Sequence, residues 1–97
     1  MAYAIVHHFP KGTKEQYENT VKEVHPDGGA TPPGGQTLHI AGETADGGWI
    51  VVAVHEDQAS WESFRDGTLV PGLQSVDDSL PGPPDELTFE VHTHQTA

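Results

Sequence analysis

Apolar and polar residues alternate along this chain with a period that changes several times. Tyr3 to Phe9 (YAIVHHF) is rich in β-formers and too short for a helix, so it predicts a strand. Pro10-Lys11-Gly12 ends it. Thr13 then offers an N-cap hydroxyl and Gln16, three residues on, completes a capping box. Tyr17, Val21 and Val24 recur at helical spacing, and the helix should stop before Pro26. Residues 26–35 (PDGGATPPGG) suit neither helix nor strand and predict a long surface loop.

A hairpin follows: Gln36–Glu43, a turn around Asp46-Gly47, then Gly48–Glu56. A two- or four-residue loop pairs Thr44 with Trp49. In that register Leu38 and Ile40 share a face with Trp49, Val51, Ala53 and His55, whereas Thr37, His39 and Ala41 share the other with Ile50, Val52 and Val54. The run WIVVAV is apolar in both phases, so this strand is expected to be buried on both faces. Asp57 caps a second helix carrying Trp61 and Phe64, whose pattern continues weakly through Leu69, Leu73 and Val76 past Gly67 and Pro71-Gly72. After a loop at 77–86, Leu87, Phe89 and Val91 alternate with polar residues in a last strand. The order is βαββαβ, the split βαβ arrangement of ferredoxin-like folds, in one domain spanning 1–97. Two helices can cover one face of such a sheet. The other face needs a partner.

Composition narrows the partners. Ninety-seven residues bury only about two-thirds of their extended surface, so an uncovered sheet face would leave the fold marginal. There is no cysteine, hence no disulfide and no thiolate chemistry. Fifteen acidic residues stand against Lys11, Lys14, Lys22 and Arg65, a net charge of −11 that repels nucleic acid and anionic membrane alike. No run approaches the roughly 20 apolar residues of a membrane span, and MAYAIVHHFPKG lacks the basic start of a signal peptide, so a cytoplasmic protein is expected.

Three segments carry a family resemblance: HHFPKGTKEQY after the first strand, HIAGE before the turn, and GGWIVVAVHEDQASWESF through the third strand and second helix. They resemble the dimeric α/β-barrel superfamily and, within it, the antibiotic-biosynthesis monooxygenase-like domains. The resemblance implies an α+β, ferredoxin-like subunit with a four-stranded antiparallel sheet that pairs sheet to sheet as a homodimer. It also implies an enzyme similar to cofactor-independent monooxygenases or polyketide cyclases, acting on a small, hydrophobic, phenolic or polyketide-like substrate. A non-catalytic ligand-binding or accessory dimer of the same fold is the alternative. Haem-degrading relatives carry a histidine where this chain has Gln74, and their first-strand asparagine matches His7, so haem turnover is not implied. No cofactor is expected.

Seven histidines are the main candidates for chemistry, because neutral imidazole is a natural base near pH 7. Six lie on or beside predicted strands: His7, His8, His39, His55, His92 and His94. The first and third strands are expected to run parallel and adjacent, which would bring His7 or His8 close to His55. His39, in the HIAG segment, and His7 are the expected catalytic residues. His8, His55, Tyr17, Trp61 and Phe64 are expected to bind substrate in a cavity between the sheet and the two helices. Hydrogen-bonded scaffold is the competing role for each histidine. His92-Thr93-His94 places two imidazoles on one side of a strand, but no second ligand pair follows at zinc-like spacing, so no metal site is expected. The Gly-Gly pairs lie in loops rather than between strand and helix, and the serines lack a nucleophile-elbow context.

Overall fold

The computed structural model describes residues 1–97. Its elements are β1 (Tyr3–Phe9), α1 (Lys14–Val24), β2 (Gln36–Glu43), β3 (Trp49–His55), α2 (Gln58–Phe64), α3 (Val70–Ser75) and β4 (Asp85–Glu90), with one 3-10 turn at Asp27–Gly29. The four strands form one antiparallel sheet in the order β2-β3-β1-β4, an α+β arrangement compatible with a ferredoxin-like fold. Local chemistry sets the helix starts. Thr13 Oγ1 accepts the Gln16 N–H at 3.1 Å while Gln16 Oε1 accepts the Thr13 N–H at 3.0 Å, and Asp57 Oδ1 accepts the Ser60 N–H at 2.7 Å. The second helix does not break at Gly67 and Pro71. A π-helical turn, Arg65–Leu69, joins α2 to α3, with the Val70 N–H bonded to the Arg65 carbonyl. Pro71 has no N–H to donate, so the ladder widens by one residue ahead of it instead of ending.

Two expectations about the sheet are corrected. β1 and β3 are antiparallel: Tyr3 lies opposite His55 and Phe9 opposite Trp49. The hairpin reverses the chain after β2, so a β3 inserted between β1 and β2 must oppose both. His7 and His8 therefore face Val51 and Ile50, at the other end of β3 from His55.

The hairpin register is also shifted by one. The Thr44 N–H donates to the Gly48 carbonyl at 3.0 Å, the Gly48 N–H donates to Thr44 Oγ1 at 2.9 Å, the Gly47 N–H returns to the Thr44 carbonyl at 3.0 Å, and Gly47 takes φ of 90°. The loop thus has three residues, the left-handed glycine supplying its last step. An odd loop moves every cross-strand pair by one position. Glu43 now faces Trp49 and His39 faces Ala53. His39 consequently shares the face of His55, while Leu38 and Ile40 share that of Ile50, Val52 and Val54. A β-bulge between Gln36 and Leu38 then turns Gln36 inward, opposite His55.

The helices cover the face carrying Ile5, Phe9, Trp49 and Ala53. Trp61, Val24 and Leu80 complete the buried apolar set on this side, and Ala4 is the one buried apolar residue on the other. Gly72 on α3 lies against Val24, which lets α1 and α3 approach closely. The opposite face has no covering element, and Ile40, Leu87 and Phe89 are 58%, 72% and 53% exposed on it. No helix is long and apolar enough to cross a membrane.

Candidate functional site

A cavity of about 200 Å³ lies between the covered sheet face and the helices. Ile5, Phe9, Val51 and Ala53 form its floor, and Val21, Leu69 and Leu73 stand above them. The π turn contributes Arg65 and Leu69 to the wall, so the widened ladder sits directly over the space. Tyr17, His25, Gln36 and His39 are polar groups in this lining. Arg65 is held by its neighbour, Nε to Asp66 Oδ1 at 2.8 Å, and Glu86 by His7 at 2.7 Å. No other lysine, arginine or carboxylate lines the cavity.

Five side chains form one continuous line of hydrogen bonds: Tyr17 Oη to His39 Nε2 (2.6 Å), His39 Nδ1 to Gln36 Oε1 (3.0 Å), Gln36 Nε2 to His55 Nε2 (3.1 Å) and His55 Nδ1 to Ser60 Oγ (2.9 Å). An amide has a donor end and an acceptor end, so the Gln36 orientation fixes the rest. Its oxygen accepts from the His39 Nδ1–H, leaving His39 Nε2 to accept the Tyr17 hydroxyl. Its NH₂ donates to His55 Nε2, leaving the His55 Nδ1–H to donate to Ser60. The bulge in β2 and the odd hairpin loop are what bring Gln36, His39 and His55 to the same face.

His25, the C-cap of α1, was not among the candidate residues. It is only 8% exposed, its ring meets that of His39 edge-on at 4.6 Å, and its backbone N–H goes to the Val21 carbonyl. Neither ring nitrogen of His25 has a hydrogen-bond partner in the chain, in contrast to both nitrogens of His39 and His55. Burial, together with His39 alongside, lowers its pKa to about 4. Burial also lowers the pKa of His39 and of His55 and raises that of the Tyr17 phenol. All four groups are held neutral near pH 7. The signal for His25 is present in the sequence: Tyr17, Val21 and His25 fall at successive i, i+4 positions, one stripe of α1.

The other candidate residues divide. Trp61 and Phe64 line the cavity with rings 6.3 Å apart, as does His7, whose ring lies 5.6 Å from Trp61. His55 is fully buried behind the cavity, between Gln36 and Ser60, and does not line it. His8 points to the uncovered face, where Nδ1 lies 3.3 Å from Asp85. His92 and His94 are exposed beyond the end of β4. No group of three or more histidine or acidic side chains is placed to hold a metal ion.

No family model matches the chain, and no curated protein or solved structure is significantly similar to it.

Proposed function

We propose that this protein is a homodimeric small-molecule enzyme of the dimeric α/β-barrel, antibiotic-biosynthesis monooxygenase-like kind, removing a proton from a small, uncharged, oxygenated ring compound without a bound cofactor. The observation that carries this reading is a neutral, unpartnered imidazole, His25, edge-on to His39 in an apolar cavity. A base needs a free lone pair within reach of its substrate and must be unprotonated at working pH. His25 meets both conditions. His39, expected to be the base, has both ring nitrogens engaged, so its part is to orient Tyr17. The Tyr17 hydroxyl would bond the oxygen of the ligand, and Trp61 and Phe64 would flank its ring.

Size and charge restrict the ligand. A dry apolar cavity of about 150 Å³ takes up benzene. One of about 200 Å³ suits a single substituted ring rather than a fused polyketide. Its two charged residues already have partners, which favours an uncharged molecule. The homodimer is supported by Ile40, Leu87 and Phe89, apolar and exposed on a sheet face that nothing in the chain covers.

Cyclohexanone in deuterated buffer tests the chemistry. The protein should accelerate exchange of the α-hydrogens, and His25→Phe should lower that rate by roughly 10²–10⁴-fold, the usual share of a general base. The accessory reading is favoured by the fully paired Tyr17-to-Ser60 line, which looks like rigid scaffold. It predicts saturable binding of the ketone with no accelerated exchange.

A further inference from the structure

We propose that the Gln36 amide is a two-position switch that lets Tyr17 present either a lone pair or a proton to the cavity, so that the site accepts both the hydroxyl and the carbonyl form of one small ring molecule. The proposal rests on the reading of the cavity as a ligand site and specifies what that site recognises.

The four hydrogen bonds from Tyr17 to Ser60 are in series, and Gln36 stands at their centre with two bonds on either side. In the present orientation every proton points away from Tyr17. The phenol donates to His39, and its oxygen keeps a lone pair for a ligand hydroxyl. Turning the amide over exchanges its oxygen and nitrogen at nearly the same positions. The NH₂ then donates to His39 Nδ1, so the His39 proton sits on Nε2 and is donated to the Tyr17 oxygen. The Tyr17 proton is released toward the cavity, where it can bond a ligand carbonyl. On the far side His55 carries its proton on Nε2 and accepts the Ser60 hydroxyl at Nδ1.

Both states make all four bonds between the same atoms, and each imidazole keeps one proton in each. Within the line neither state leaves Gln36, His39 or His55 unpaired; only the Tyr17 proton of the second state needs an acceptor, and a ligand carbonyl is what supplies it. The bond that the ligand makes to Tyr17 then decides between them. A fixed phenol would favour one form of the ligand, whereas this one can follow a molecule as its oxygen passes between hydroxyl and carbonyl.

The test uses the full chain, ¹⁵N-labelled, with phenol as the hydroxyl probe and cyclohexanone as the carbonyl probe. Histidine ring ¹⁵N shifts report which nitrogen carries the proton. With phenol, His39 and His55 should both be protonated at Nδ1; with cyclohexanone, both should shift to Nε2. His55 does not line the cavity and its Nε2 is bonded to Gln36, so a change of tautomer there, as distinct from a ring-current shift through Trp61 or Phe64, reports the turn of the amide. Gln36→Glu supplies a carboxylate that only accepts and so holds His39 as the Nδ1–H form. That variant should bind cyclohexanone about tenfold more weakly, the worth of one hydrogen bond, and phenol within about twofold of the parent. If both probes bind and the two histidines keep the same tautomers throughout, the switch is wrong and the ligand site stands. If neither probe shifts any cavity resonance, the site reading falls and takes the switch with it. The tautomer measurement needs no variant, so misfolding of Gln36→Glu would not rescue the proposal.

Discussion

Four of the seven histidines, His7, His25, His39 and His55, lie on the covered side of the sheet, and burial lowers the pKa of the last three. The consequence for stability has a definite sign. An unfolded histidine titrates near 6.5, whereas folded His25 does so at about 4. Between those values the unfolded chain binds more protons, so stability is full above pH 6.5 and falls as pH drops toward 4. His25 alone should cost about 2 kcal/mol between pH 7 and pH 5, with His39 and His55 adding in the same direction. Urea unfolding at the two pH values measures this, and His25→Phe should flatten the dependence. An unchanged slope in the variant would show that water reaches the ring and keeps its pKa near that of the free side chain. A second expectation concerns Gln36. Gln36→Leu leaves the His39 Nδ1–H and His55 Nε2 without partners inside the core, and should cost about 3 kcal/mol. A loss within about 0.5 kcal/mol would mean that the line of bonds is not formed in solution.

At the scale of elements, the hairpin decides how the site is assembled. Its three-residue loop depends on Gly47 at φ of 90°, where a side chain is strained, and Gly47→Ala should destabilise the protein by about 1 kcal/mol. Nothing lies within 4 Å of a Cβ added there, so the loss would report backbone conformation rather than a clash. Urea unfolding of the variant measures it; no loss would mean that another loop length is populated. The same loop explains what the sequence left illegible. Strand and helix positions, both N-caps and the capping box follow from local chemistry and are readable at 3–9, 13–24, 36–43 and 57–64. Register is not local. Asp46-Gly47 signals a turn, but an even loop and an odd one differ by a single residue, and that residue sends His39 to opposite faces. The bulge at Gln36 is invisible for the same reason, since only pairing with β3 creates it. The antiparallel sense of β1 and β3 follows from chain reversal at the hairpin, and was readable in principle. His25 sat on a legible stripe of α1, but a position next to Pro26 reads as a helix end before it reads as a site.

At the scale of the molecule, the proposed homodimer has to reconcile two opposing forces. Leu87 and Phe89 offer apolar area on one face of β4, next to Val6 and Ala4 of β1 and in line with Ile40 at the far edge of the sheet. Two such faces brought together should bury more than about 1,200 Å², the scale of a stable interface. Against this, each chain carries a net charge of −11, so association brings two like charges together. Hydrophobic contact is insensitive to moderate salt, whereas the repulsion is screened over a Debye length that falls from roughly 30 Å at 0.01 M to 8 Å at 0.15 M. The dimer should therefore tighten as salt rises, the reverse of an interface held by ion pairs. Sedimentation at micromolar concentration across that range measures the trend. A double substitution, Leu87→Asp with Phe89→Asp, changes residues that are 72% and 53% exposed in the single chain, so the monomer fold should lose little. The same substitutions would place four carboxylates in the interface of a pair and should leave only monomer at every salt concentration. The melting temperature of the parent should also rise with protein concentration, and that of the variant should not. A parent that sediments as a well-folded monomer throughout would remove the sheet-to-sheet dimer, and with it the proposal that this chain is one of the dimeric α/β-barrels.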